Sequence, residues 1–220
     1  MSPGNALQDG LAAMGLDLSR EKQDKLQAFM ALLTKWNRTY NLTAIRDENQ
    51  MLTHHLLDSL SILPAIGKLC EAISPGGTVS AARRWADVGS GAGLPGIPLA
   101  IACSDLEITS IETVEKKATF QRQARIELGL GNFSVTNSRV EDVPAGGFDI
   151  VISRAFADLA DFVRLAGHLP NSTGRLLAMK GILPEDEIKR LPLGWTLREA
   201  LPLRVPGLEA QRHLLVIEKA

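Results

Sequence analysis

At 220 residues, 45% hydrophobic and 22% charged, the chain has the composition of an ordinary globular protein, long enough for one substantial unit plus an appendage. A net charge of −1 excludes binding of nucleic acid through bulk charge, so any such contact must be local. No run of ~18 apolar residues occurs and Met1–Gly10 has neither the basic nor the apolar region of a secretory signal, so no membrane contact and a cytoplasmic location are expected. Cys70 and Cys103 stand far apart with no CxxC, which argues against a disulfide scaffold or a zinc site, and no metal is expected.

In chain order, the first ~18 residues give no clear pattern. Ser19 can cap a helix whose apolar positions Leu26, Phe29, Met30, Leu33 and Trp36 follow the helical period. Asn37 to Thr43 is polar and reads as a turn. A second helix starts after Asp47, with Gln50 as capping-box partner, and ends at Pro64. His54, His55 and Asp58 fall within about one turn of it. Adjacent histidines point about 100° apart on a helix, so a hydrogen-bonded or RNA-facing role is expected there instead of a metal. Ile66 to Ile73 continues helical and Ser74 to Gly77 turns, which predicts a helical N-terminal cap over 1–77 and a second unit over 78–220.

The stretch Arg83 to Gly96 carries the most information. An apolar run with one acid, Asp87, breaks into Gly89, Gly91, Gly93 and Gly96, and Leu94 to Ala102 is apolar enough for a buried helix. Strand, glycine loop and helix suit a nucleotide-like cofactor, because the backbone can approach the ligand closely. Gly91, Gly93 and Gly96, with Glu112 further on as ribose acid, fit a dinucleotide loop for NAD. Asp87, Gly89, Gly91 and Gly93 fit a second pattern, in which the acid precedes the first glycine. A carboxylate there would repel a pyrophosphate and suits a ligand carrying an ammonium and a sulfonium, S-adenosylmethionine. The second pattern resembles motif I of the class I methyltransferases and is preferred.

Beyond the loop, strands and helices alternate, the mark of a parallel sheet. Strands are expected at Glu107–Glu112, Phe133–Thr136, Phe148–Ser153 and Arg175–Met179, with helices at Lys116–Leu128, Asp158–Leu169 and near Glu185. Asn171 to Gly174 reads as a turn. Trp195–Leu201 and His213–Glu218 close the sheet as a strand pair through Pro206-Gly207. Ligands in such sheets sit outside the carboxyl ends of the strands. Glu112 is then placed for the ribose hydroxyls, and Val140 with Glu141 for the adenine. Ser153-Arg154 stands where methyltransferases face their substrate. The motif of exocyclic-amine methylases is absent there, and neither cysteine is placed as the nucleophile of a C5-cytosine methylase.

Trp36-Asn37 with Asn41-Leu42-Thr43, His55-Leu-Leu-Asp-Ser59, Asp87 to Gly96, Ser138-Arg-Val-Glu141, Ser153 to Ala157, Lys180-Gly181 and Arg212-His213 together resemble the ribosomal small-subunit methyltransferase G family (RsmG, also called GidB) over about residues 20 to 219. The resemblance implies an α/β fold of class I, Rossmann-like type, with a seven-stranded mostly parallel sheet, helices on both faces and a helical cap before it. It implies methyl transfer from S-adenosylmethionine to N7 of a guanine in 16S rRNA. It also implies cofactor contacts at Gly89, Leu94, Val140, Glu141 and Arg154.

Guanine N7 carries a lone pair and no proton, so no general base is expected. Arg154, Arg139 and Arg212 are expected to position the reactants, and Arg139, Lys180 and Arg212 to contact RNA. Residues 1–84 hold nine Lys/Arg against eight Asp/Glu, 85–150 five against nine, and 151–220 ten against eight. The flanks are therefore the basic parts. The expected partner is ribosomal RNA, in the small subunit or an assembly intermediate, bound by a monomer. A small-molecule methyltransferase and a non-catalytic RNA-binding factor remain open on the residues alone.

Overall fold

The computed structural model describes residues 3–66 and 84–220. Cys70, the expected helix end at Ile73, the turn at Ser74–Gly77, the boundary between 77 and 78, and Arg83 lie outside the described residues.

A seven-stranded sheet forms the centre. Its strands are β1 (Arg84–Val88), β2 (Glu107–Ile111), β3 (Phe133–Thr136), β4 (Phe148–Ser153), β5 (Pro170–Lys180), β6 (Trp195–Pro202) and β7 (His213–Lys219), ordered β3-β2-β1-β4-β5-β7-β6. β1 to β5 pair in parallel, and β7 runs antiparallel between β5 and β6. The strand order reverses between β1 and β4, which opens a crevice at their carboxyl ends.

The strands are apolar runs because both faces are covered. Ile150 and Ile152 of β4 join one buried cluster and Val151, between them, joins the other. The second cluster is completed by Phe162, Val163 and Ala166 of α7 (Leu159–Ala166), whose first turn is capped by Asp158 accepting from Ala160 N–H at 2.7 Å.

The first cluster runs from the sheet into the N-terminal helices, α1 (Pro3–Ala13) and α2 (Arg20–Tyr40). Ser19 caps α2, its hydroxyl accepting from Lys22 N–H at 3.4 Å. Leu26, Phe29, Leu32 and Leu33 form the buried stripe. Phe29 and Trp36 meet Phe120 of α6 (Glu115–Glu127) at ring-centroid distances of 6.3 and 5.6 Å. Lys22 Nζ donates to the carbonyl of Ala102 at 2.8 Å, at the end of α5 (Gly96–Ala102). Truncating Phe29 to alanine would cost about 3–5 kcal/mol, because its site cannot collapse across three elements.

α3 (Glu48–Met51) is capped by Asp47, which accepts from Gln50 N–H at 2.9 Å. It continues through a π-helical turn, Leu52–Leu57, into α4 (Asp58–Leu60). α1 seats on that turn: a Cβ on Gly10 would lie 2.7 Å from Leu57 Cδ1.

Three expectations are corrected. Pro64 does not end the helix. The break falls at Ser61-Ile62, and Pro64 sits in the first turn of a further helical segment, where its missing N–H costs little. Asn37 belongs to α2, not to a turn. It is buried, its Oδ1 accepting from Thr43 N–H at 2.9 Å and its Nδ2 donating to Ile45 O at 3.1 Å, so it shapes the turn that follows. Asn171–Gly174 lies inside β5, at a register irregularity opposite Phe148 and Ile150. Its turn chemistry is real: Asn171 Oδ1 accepts from Thr173 N–H at 3.0 Å, while its Nδ2 ties the bulge to Asp149 at 2.7 Å.

Candidate cofactor and substrate site

β1 ends at Val88, and the chain turns into α5 with positive φ at Gly89, Gly91 and Gly93. At Gly91, φ is +58° and an added Cβ would meet nothing within 4 Å, so the loop presents bare backbone to open space. Gly96 serves close approach instead. Its N–H donates to Asp87 Oδ2 at 2.8 Å, and a Cβ would meet that same oxygen at 2.8 Å. Asp87 has no exposed surface, and its Oδ1 has no hydrogen-bond partner among the described residues. Burial pushes its carboxyl up to about 7, against the pull of the Gly96 N–H and of the Arg154 charge.

Gln121 of α6 braces the loop from behind. Fully buried, it donates from Nε2 to Ser90 Oγ and to Gly91 O, both at 2.8 Å, and Ser90 Oγ in turn meets Ser110 Oγ of β2. Sequence reading missed all three residues; α6 carries two amides, Gln121 and Gln123, and nothing in the sequence says which one turns inward. Glu112, just past β2, accepts from Gly91 N–H at 2.7 Å and from Val114 N–H at 2.8 Å, one on each carboxylate oxygen. Each oxygen keeps one further acceptor position. Leu94 packs in the core and gives its N–H to Ser90 O at 2.8 Å.

A cavity of about 360 Å³ opens at the ends of β1 and β2, walled by Val88, Gly89, Ile111, Thr113, Val140 and Phe156. Val140 and Glu141 belong to a 3-10 turn, Val140–Asp142, at its edge. Arg139 also lines this cavity; its side chain is 74% exposed and pairs with Glu141 at 3.2 Å. The Glu141 carboxyl is held below the usual range by its own backbone N–H and then by Arg139.

Past β4 the chain builds a second centre. Ser153 Oγ donates to Val88 O at 2.7 Å and accepts from Ala155 N–H at 3.0 Å, locking the ends of β4 and β1 together. Arg154 then reaches the N-terminal helices. Its Nη1 lies 3.1 Å from both Asp58 Oδ2 and Ser59 Oγ, and its Nη2 donates to His54 O at 3.3 Å. Arg212, from just before β7, donates from Nε to Asp58 Oδ1 at 2.9 Å. Asp58 is thus buried between two guanidinium groups. Asp58, Arg154, Met179, Lys180, Gly181 and Arg212 line a cavity of about 250 Å³.

The sequence-predicted cations therefore divide. Arg154 and Arg212 meet on Asp58, whereas Arg139 belongs to the other cavity. Lys180 stands apart from both. Its three donors go to Phe156 O at 3.1 Å, Ala157 O at 2.7 Å and Glu187 of α8 (Glu185–Lys189) at 2.8 Å, so it holds the loop after β4. Among the described residues no group of three or more His, Cys, Asp or Glu is placed to hold a metal ion. His55 Nε2 instead meets Thr43 Oγ1 at 2.8 Å. Burial, then the nearby Arg154 charge, pulls its pKa down to about 4.

This arrangement has known counterparts. The family model GidB, described as rRNA small subunit methyltransferase G, matches residues 22–215. The chain is 56% identical to the ribosomal RNA small subunit methyltransferase G of Azoarcus sp. (strain BH72), over 97% of this chain and 95% of that protein. It is 57% identical to the protein of the same name from Aromatoleum aromaticum, over 97% of each. Among solved structures, a SAM dependent methyltransferase from Aquifex aeolicus superposes with a TM-score of 0.53 at 14% identity, covering 76% of this chain and 92% of that one. TrmN from Thermus thermophilus gives a TM-score of 0.53 at 20% identity over 77% of this chain, which spans about half (53%) of its length. These two likenesses carry the fold, that of the class I methyltransferases. The chain belongs to the GidB family, rRNA small subunit methyltransferase G.

Proposed function

We infer that this protein is an S-adenosylmethionine-dependent rRNA methyltransferase, and propose that it modifies N7 of a guanine in the small-subunit 16S rRNA. Family membership supports the first statement. The observation that carries the cofactor reading is the orphaned Oδ1 of buried Asp87 beside a loop whose Gly91 faces open space. The positive charge of a cationic ligand bound at the loop favours that carboxylate, and the charge of a pyrophosphate opposes it.

When bound, S-adenosylmethionine supplies a methyl group on a sulfonium centre. Asp87, Gly89, Gly91 and Gly93 would hold its amino-acid end. Glu112, through its remaining acceptor positions, would hold the ribose, and Val140 with Glu141 the adenine side. Leu94 and Arg154 flank this region. The N7 of a guanine carries a lone pair and no proton, so the chain would need no side chain to act as a base. The protein's task is alignment, worth about 7–11 kcal/mol where two reactants are held in near-attack geometry. Arg154 and Arg212, fixed by Asp58, supply rigid cations on the substrate side, and Arg139 supplies one at the cofactor rim.

The substrate is RNA within the small subunit or an assembly intermediate, met by a monomer in the cytoplasm. Among the described residues no helix is long and apolar enough to cross a membrane. The test is labelled methyl transfer from S-adenosylmethionine into naked small-subunit rRNA and into isolated small subunits. Incorporation into either, lost in Asp87→Ala, is expected; incorporation into neither contradicts the reading.

A further inference from the structure

We propose that Asp58 reads the Watson–Crick edge of the target guanine, making the 250 Å³ cavity at the ends of β4 and β5 the pocket for the flipped base. This rests on the guanine reading above. The residues lining that cavity divide by chemistry. Arg154 and Arg212 offer donors, Met179 offers an apolar wall, and the donors of Lys180 are spent on Phe156, Ala157 and Glu187. Among the described residues that line it, Asp58 alone offers side-chain oxygens. Each of its two oxygens takes one guanidinium, Oδ1 from Arg212 at 2.9 Å and Oδ2 from Arg154 at 3.1 Å. An ionised carboxylate has about four acceptor positions, and the arginines fill two.

The base that fits two parallel acceptors is the one with two adjacent donors. Guanine presents N1–H and the N2 amine side by side. Adenine and cytosine pair a donor with an acceptor, and uracil sets one donor between two acceptors. Guanine also presents O6 next to N1, within the span of guanidinium donors on either side of the carboxylate. Gripping this edge leaves N7, on the far side of the ring, uncovered for the methyl group. An arginine bidentate to O6 and N7, the usual way of reading guanine in a duplex, would occupy the reacting lone pair. Extrusion of the base makes the other edge available.

The arginines then have a second use. Asp58 is buried, and its two guanidinium partners hold the carboxylate in place at the cavity wall. Seating Asp58 at the end of the π-helical turn also makes the N-terminal helices part of the base pocket.

The experiment uses the full chain and small-subunit rRNA, first mapped for the methylated guanosine and then rebuilt by ligation with inosine or 1-methylguanosine at that position. Inosine lacks the N2 amine; 1-methylguanosine lacks N1–H. With the wild-type protein, kcat/KM should fall about ten- to hundredfold on either analogue. In Asp58→Asn, whose amide offers one acceptor, guanosine methylation should fall and the guanosine-to-inosine ratio should collapse toward one. Asp58→Glu, which keeps the charge but shifts the oxygens, should keep partial discrimination and serves if Asp58→Asn fails to fold. Equal wild-type rates on guanosine and inosine overturn the proposal, as does an undiminished ratio in a folded Asp58 variant, which would leave Asp58 only an anchor for the arginines. Failure of the wild-type protein to methylate any guanosine overturns the underlying function instead.

Discussion

Asp87 and Gly96 are joined by a 2.8 Å hydrogen bond from the Gly96 N–H to Oδ2, while the other carboxylate oxygen is buried with no hydrogen-bond partner among the described residues. The acid at the end of β1 therefore spends one oxygen on the loop, and its titration should report a charge bound beside it.

Burial raises the Asp87 pKa from 3.8 to about 7, so at neutral pH the site holds a proton part of the time. A ligand ammonium favours the ionised form, so binding should release up to one proton and weaken as pH falls below about 7. Calorimetry of S-adenosylhomocysteine between about pH 6 and 8, in buffers of different ionisation enthalpy, should show both. Asp87→Asn should bind more weakly and lose the dependence. A pH-independent affinity in the wild type contradicts the assignment.

Stability should carry opposite slopes from two buried groups. Asp87 binds its proton more tightly when folded, so it contributes stability at low pH that is lost as pH rises from 3.8 to about 7, on the order of 4 kcal/mol in all. His55 falls from 6.5 to about 4 on folding; its contribution is present above 6.5 and is lost as pH falls through that window, roughly 3 kcal/mol. The two nearly cancel between about pH 4 and 6.5. Compared with the wild type by urea denaturation, Asp87→Asn should lose stability on acidification across that range and His55→Gln should gain it. Parallel curves for all three proteins would contradict the buried titrations.

Gly91→Val should abolish cofactor binding in a protein that still folds. The side chain would enter open space, so no packing clash unfolds the chain, but the +58° φ costs about 1–3 kcal/mol and the branched group occupies the ligand's approach. Thermal denaturation and calorimetry together test this, and wild-type affinity in a folded variant contradicts it.

Lys180→Met separates a loop anchor from a phosphate contact. Losing three bonds from a charged group should cost about 2–3 kcal/mol of stability and lower kcat through a misplaced loop after β4. The salt dependence of RNA affinity should keep its slope. A slope reduced by about one charge would place Lys180 on a phosphate instead.

Local chemistry was readable in the chain and distant pairing was not. Ser19 and Asp47 cap helices because a short polar side chain followed by helical periodicity needs only neighbours three residues on. The glycine loop was readable because the acid and glycines that build it are contiguous. Asn37 looked like a turn residue because its side chain does bond a turn, while its backbone stays helical. Lys180 and Arg212 were equally plausible surface cations in sequence. What divides them is Glu187, seven residues from one, and Asp58, 154 residues from the other. Asp58 stands in the chain beside His54 and His55 and inside the motif His55-Leu-Leu-Asp-Ser59, yet nothing nearby announces two arginines from the ends of β4 and β6–β7.

The most direct test is mass mapping of methylated nucleosides in small-subunit rRNA from cells with and without this protein, followed by restoration of the mark with purified protein and S-adenosylmethionine. The expected result is a single 7-methylguanosine that disappears with the protein and returns with the wild type but not with Gly91→Val. An unchanged nucleoside map, or a lost methyl group on another base or another guanine atom, would contradict it.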